Sequence, residues 1–75
     1  MSDHVYKVIE VVGSSAESSD DAIRGAIRRA SATLKGIGWF EVKETRGHVE
    51  EGEIKHFQVT LKVGFTLADT TNAAT

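Results

Sequence analysis

The sequence predicts an α+β subunit of order β-α-β-β, with one helix laid on a three-stranded antiparallel sheet. Three observations carry this. Val5 to Val12 is rich in β-branched residues, which favour strands. Ile23, Ala26, Ile27, Ala30 and Leu34 recur at spacings of three and four, the period of one helical face. Phe57, Val59, Leu61, Val63 and Phe65 alternate with His56, Gln58, Thr60, Lys62 and Gly64, the period of a strand.

The first strand reads VYKVIEVV, and its polar breaks, Lys7 and Glu10, fall on opposite faces. Both faces should therefore be largely buried. One short helix cannot cover both, so a second cover comes from another subunit or is missing. Gly13-Ser14-Ser15 reads as the end of this strand. Ser18 or Ser19 can cap the helix that follows, and Asp20 and Asp21 suit the positive end of its dipole. The helix is expected from about Asp20 to Lys35, with Gly36 and Gly38 as stop residues. Gly25 inside it costs about 1 kcal/mol relative to alanine, and close packing against the sheet is its expected reason. Trp39 to His48 reads as the second strand. Phe40 and Val42 take one face, and Trp39, Glu41, Lys43 and Thr45 take the other. Val49-Glu50-Glu51-Gly52 reads as a hairpin connection into a last strand, Glu53 to Phe65. Residues 1–67 form one domain. The tail 68–75, ADTTNAAT, has no apolar pattern and is expected to be disordered.

A chain of 75 residues is one domain, and a core of this size supplies only about 3–5 kcal/mol. Small domains add disulfides, metals or oligomerisation. The chain has no cysteine, which removes disulfides and thiolate metal sites and leaves oligomerisation as the leading means of stabilisation. The net charge of −2 argues against nucleic acid as a partner. Met1-Ser2-Asp3-His4 is no secretory n-region, and no apolar run approaches the ~20 residues of a membrane span. A soluble cytoplasmic protein, without a membrane partner, is expected.

Catalytic motifs are absent: no GxGxxG, no Walker sequence, no arguable triad. The serines at 14–19 suit turns and caps, and Glu41, Glu44 and Glu50 read as solvated positions. No enzyme is expected. His48 and His56 flank the hairpin and could approach each other, but without a close carboxylate they make a poor metal site. With His4 they read as exposed residues, and no metal is expected. Trp39 points away from the phase of Phe40, either as an oligomer-interface anchor or as a stacking platform for a flat aromatic ligand. Gln58 offers one acceptor and two donors, which match an edge such as a flavin pyrimidine ring or a bond across a subunit interface. Arg46 can bind a phosphate bidentately or pair with Glu44 or Glu53.

Three segments together resemble the dodecin family: VYKVIEVVGSS at Val5–Ser15, GWFEVKETRGH at Gly38–His48 and HFQVTLKVGF at His56–Phe65. The combination is specific, although no single piece is, and it covers about Val5 to Leu67. The resemblance implies a sheet wrapped around its helix and a hollow homo-dodecamer of cubic 23 symmetry, which supplies the missing cover. It implies flavins bound in pairs between subunits, each ring stacked on Trp39, hydrogen-bonded by Gln58, with Arg46 near the ribityl phosphate. FMN is the flavin it favours, and riboflavin and coenzyme A are further ligands it admits. Some bacterial members carry an arginine directly after the Gly-Phe of the last strand. Here Thr66 follows Gly64-Phe65, so that second phosphate contact is missing and riboflavin or lumichrome competes with FMN as the ligand. The implied role is flavin storage and protection against flavin photochemistry. The alternatives are a structural interaction module, with Trp39 and Gln58 at an interface, and a weak flavin reductase, which no dinucleotide fingerprint supports.

Overall fold

A computed structural model of the chain describes residues 4–67. It contains β1 (Tyr6–Ser15), α1 (Ser19–Thr33), β2 (Ile37–Glu50) and β3 (Glu53–Thr66). The strands form one antiparallel sheet of order β1-β3-β2. This is the β-α-β-β architecture that the periodicities predict. The tail 68–75 lies outside the described residues.

β3 is the central strand, and its alternation organises the rest. Val59, Leu61 and Val63 are fully buried, and with Ala22 of α1 they form the core. Each such β3 side chain contributes about 1.5–3 kcal/mol by leaving water. Ile9 pairs with Val63, Val11 with Leu61 and Gly13 with Val59, so these residues of β1 share the helix-covered face. Ile23, Ala26 and Ile27 close the core from the helix side.

The start of α1 is built by two serines. Ser18 is the N-cap, accepting a 3.0 Å bond from the Asp21 amide, an arrangement that stabilises by about 1 kcal/mol. Ser15 is buried but satisfied: its hydroxyl donates to Asp21 Oδ2 at 2.7 Å and accepts from the Glu17 amide at 2.8 Å. The helix ends at Thr33, two residues before the sequence suggests, with Leu34 in an extended C-cap conformation. Gly36 then turns the chain with φ +78°, a conformation that glycine adopts without steric cost.

Three further expectations are corrected. Gly13-Ser14-Ser15 does not end β1 but lies inside it. A Cβ at Gly13 would stand 2.9 Å from Ala26 Cβ and press on the Ala22 carbonyl. Gly13 is therefore the position that lets the helix approach the sheet. Gly25, for which that role was expected, has no atom within 4 Å of its would-be Cβ. β2 is longer than predicted and does not alternate strictly. Its register slips between Val42 and Glu44, leaving Lys43 as a bulge, so Thr45 pairs with Val59 and joins the phase of Phe40 rather than that of Trp39.

The hairpin turns on Glu51 (φ 52°) and Gly52 (φ 79°), the two positive angles that a tight β-hairpin needs. β1 stops at Ser15, opposite Phe57, so the hairpin continues as a two-stranded ribbon. The subunit measures 57 × 20 × 13 Å, long and thin for its size. The helix packs on β1 and β3 and leaves β2 bare. Tyr6, Val8, Val12, Trp39, Phe40 and Val42 are each more than two-fifths exposed. The burial expected on both faces of β1 is thus found on one face only in the single chain. No helix among the described residues is long and apolar enough to cross a membrane.

Candidate functional site

The uncovered face of the sheet is defined by register. Gly64, Lys62, Thr60 and Gln58 of β3 lie across from Val8, Glu10, Val12 and Ser14 of β1. On the other side, Trp39 pairs with Gly64, Glu41 with Lys62, Glu44 with Thr60, Arg46 with Gln58 and His48 with His56. All three candidate residues, Trp39, Arg46 and Gln58, therefore occupy this one face. The bulge at Lys43 makes this so. Without it, strict alternation would send Arg46 to the face opposite Trp39.

Trp39 sits directly over Gly64. A Cβ at that glycine would collide with the indole at Cε2 and Cζ2 and stand 2.7 Å from Nε1. The ring is thus seated on the backbone of the central strand while the residue stays 42 % exposed. This bracing orients the indole. Gly64 is a close-packing position that strand alternation alone does not reveal. Its signal is a glycine inside an otherwise regular strand, which marks close approach of another group.

Arg46 and Gln58 are register partners and line a polar pocket of about 160 Å³ together with Gly47, His48 and His56. The two imidazoles stack with centroids 5.2 Å apart, so the expected approach of His48 and His56 is observed. A carboxylate is nearby after all: Glu50 Oε2 lies 3.4 Å from His48 Nε2. Even so, no group of three or more metal-ligating side chains occurs among the described residues.

The structure brings Arg46 and Gln58 together but keeps both away from Trp39. Trp39 is level with Gly64, six residues from Gln58 along β3. At about 3.3 Å per residue this is roughly 20 Å, farther than one three-ring aromatic system reaches. A single chain therefore keeps the exposed indole and the polar pocket apart.

Between them lies one ion pair that the sequence reading does not contain. Lys43, the bulged residue, donates to Glu10 Oε2 at 2.9 Å. Lys43 is thereby tied to β1, two strands away. The hydrogen bond and charge of Lys43 hold the Glu10 carboxyl below the usual carboxylate range, with Lys62 adding a smaller pull. Glu10 in turn holds the Lys43 ammonium above its ordinary value.

Comparison with known proteins bears on the family and the fold. The family model described as Dodecin matches residues 5–68. The dodecin of Thermus thermophilus is 50% identical over 66 residues, covering 88% of this chain and 96% of that one. The solved dodecin from Streptomyces davaonensis has a TM-score of 0.86 at 53% identity, covering 91% of this chain and 100% of that chain. The dodecin structure from Streptomyces coelicolor also has a TM-score of 0.86, at 51% identity, with 92% and 99% covered.

Proposed function

Because the chain belongs to the dodecin family, small proteins that bind flavins, we propose that it is a non-catalytic FMN store. It assembles as a homo-dodecamer in the cytoplasm and shields the flavin from photochemistry. The observation that carries this reading is the seat of Trp39. A bulky indole held over Gly64 on a face with no cover is costly for a lone subunit, yet it offers a flat, preoriented surface to an aromatic ring.

The residues present fit such a ligand. Gly64 leaves the space in which the indole lies, and Gln58 and Arg46 share one polar pocket. Because the stacking surface and the pocket are too far apart within one chain, the flavin lies between subunits. Trp39 comes from one chain and Gln58 from another. Trp39 stacks on the ring and, with its symmetry mate, brackets a pair of ligands. Gln58 fixes the ring's orientation through its amide donors and acceptor. Arg46 holds the ribityl phosphate by charge-assisted hydrogen bonds. Bound flavin supplies a photoreactive ring whose excited state readily accepts an electron. Trp39, in contact with that ring, would be the residue able to donate an electron and take it back by charge recombination, so quenching fluorescence and limiting singlet-oxygen formation without net reaction. The same pocket accommodates riboflavin without using Arg46. Coenzyme A is a further candidate ligand for the assembly.

The test is a fluorescence titration of FMN with the ligand-free assembly. Quenching that saturates near one flavin per chain is expected, with loss of most affinity and quenching in Trp39→Ala while the assembly persists. Full-strength FMN binding by Trp39→Ala would overturn the stacking role. A second reading has its own observation. Tyr6, Val8 and Val12 are exposed on the same face as Trp39, as a purely structural interface would require. An intact assembly that ignores flavin would put that reading first.

A further inference from the structure

We propose that His48 and His56 form a binding site for a divalent transition-metal ion of the copper, nickel and zinc class. The two residues are direct partners in the β2–β3 ladder. Residues so placed hold their Cβ atoms about 4.5–5.5 Å apart. Their rings stack with centroids 5.2 Å apart and 16° between the planes. β1 ends opposite Phe57, so no third strand flanks His56 and the pair stands on the free ribbon. The ladder fixes both backbones, so folding has already brought the two imidazoles together. To chelate, the rings must part slightly. Rotation about their Cβ–Cγ bonds turns one nitrogen of each toward a shared ion, at the bond length of about 2.0–2.1 Å that an imidazole takes to zinc.

The carboxylate that a histidine pair needs is Glu50. Its Oε2 lies 3.4 Å from His48 Nε2. An ionised carboxylate only accepts, so in this contact Nε2 carries the proton and donates it. The lone pair of the neutral ring is then on Nδ1, free for an ion. A metal-bound imidazole commonly gives its other N–H to a carboxylate, which fixes the tautomer and raises the basicity of the ligating nitrogen. Glu50 is thus an orienting partner and not a ligand. Two imidazoles are the whole protein share of the shell, in keeping with the absence of any group of three ligating side chains among the described residues.

The donor set selects the metal. Imidazole suits copper, nickel and zinc, whereas magnesium and calcium take oxygen ligands. Among the former, Cu2+ binds a given nitrogen site most tightly. The pocket beside the pair, about 160 Å³, has room for an ion and its waters, each water occupying about 30 Å³. Arg46 lines the same pocket. Its guanidinium opposes a bare cation and favours a small anion in the ion's open positions. The site is therefore open, and water or an anion completes its coordination. The inference rests on the histidine pair and Glu50, and not on the flavin reading.

Titration of the flavin-free, metal-stripped protein with Cu2+ tests it. Every chain carries His4→Ala, which removes the remaining histidine. Calorimetry should show saturable binding near one ion per chain. Electron paramagnetic resonance of the bound ion should show splitting from two imidazole nitrogens. His48→Asn and His56→Asn should each abolish both signals. Glu50→Gln should keep the stoichiometry and the two-nitrogen spectrum but weaken binding roughly tenfold, the lower end of what an orienting partner contributes, because Glu50 is mostly exposed. Circular dichroism and size-exclusion chromatography show which variants keep their fold and assembly, and His48→Gln or His56→Gln replaces either that does not. No saturable binding by the His4→Ala chain, or binding that survives the loss of either paired histidine, would overturn the inference. Unchanged affinity in Glu50→Gln would overturn the orienting role of the carboxylate. FMN titration of the same samples reads the flavin separately. A protein that binds Cu2+ through both histidines and ignores FMN would overturn the flavin store and leave the metal site intact.

Discussion

Trp39 and Gly64 are a single unit: the indole occupies the space where any other residue at 64 would place its Cβ, with Nε1 2.7 Å from that point. On the flavin-store proposal, the glycine would act on the ligand through the tryptophan. Gly64→Ala must push the indole off the central strand, a clash of the kind that costs about 1–3 kcal/mol. We expect FMN affinity to fall about tenfold or more, since 1.4 kcal/mol is a factor of ten. Riboflavin should lose the same factor, because the phosphate contact is untouched. Titration of both flavins against Gly64→Ala checks this, and unchanged affinity for either would mean that the seat does not orient the ring.

Two glycines near the helix predict opposite outcomes for the same substitution. Gly13→Ala would drive a methyl into the Ala22 carbonyl and Ala26, and should destabilise by about 1–3 kcal/mol. Gly25→Ala meets nothing within 4 Å and lies in mid-helix, where glycine is unfavourable. It should stabilise by about 0.5–1 kcal/mol. Denaturant unfolding of the two variants at equal subunit concentration checks the pair. A destabilising Gly25→Ala would show that the assembly packs something against that position.

That contrast shows where sequence reading works here. Element type and order were legible because the period-two pattern of β3 and the helical stripe from Ile23 to Leu34 are both regular. The helix-packing glycine was not. Both Gly13 and Gly25 sit in regular patterns, and only the helix–sheet approach decides which one needs the absent Cβ. Arg46 has the same history. Plain alternation along β2 puts it on the wrong face, and the bulge at Lys43 corrects this. The one hint in the sequence is that the apolar phase of Phe40 and Val42 lapses at Glu44. The separation of Trp39 from Gln58 was hidden because it depends on which residues of β2 and β3 pair.

The Glu10–Lys43 pair predicts a pH dependence with a definite sign. The folded carboxyl is held low, so its contribution is present above the ordinary carboxylate value and is lost as pH falls through the lower folded one. The folded ammonium is held high, so its contribution is present below the ordinary lysine value and is lost as pH rises through the higher folded one. The pair therefore supports the fold across neutral pH and fails at both extremes. Both side chains are about half exposed, so salt screens the interaction and its effect is modest. Glu10→Gln should lower Tm slightly at pH 7 in dilute buffer. The difference from the parent should fade as pH falls through the lowered folded value, where the glutamate side chain also becomes neutral. It should also shrink in about 1 M salt, where charges interact over only ~3 Å. A difference that persists at acid pH would mean that the carboxyl acts by packing rather than by charge.

On the flavin-store proposal, Arg46 would separate recognition of the phosphate from recognition of the ring. Its partner in the pocket is Gln58, and both are on the face that the bulge creates. With Thr66 where some bacterial members carry an arginine, Arg46 stands without that second cation for a phosphate. Hydrogen bonds to a charged group are worth about 1.5–3 kcal/mol. Arg46→Ala should therefore weaken FMN roughly 10- to 100-fold and leave riboflavin unchanged. In the parent, the preference for FMN over riboflavin should narrow as salt rises, because the phosphate contact is the screened part. Parallel titrations of the two flavins at low and high salt check both statements. An equal loss for FMN and riboflavin in Arg46→Ala would assign the arginine to the framework of the pocket, and the selectivity for phosphate would have to come from another subunit's side chain.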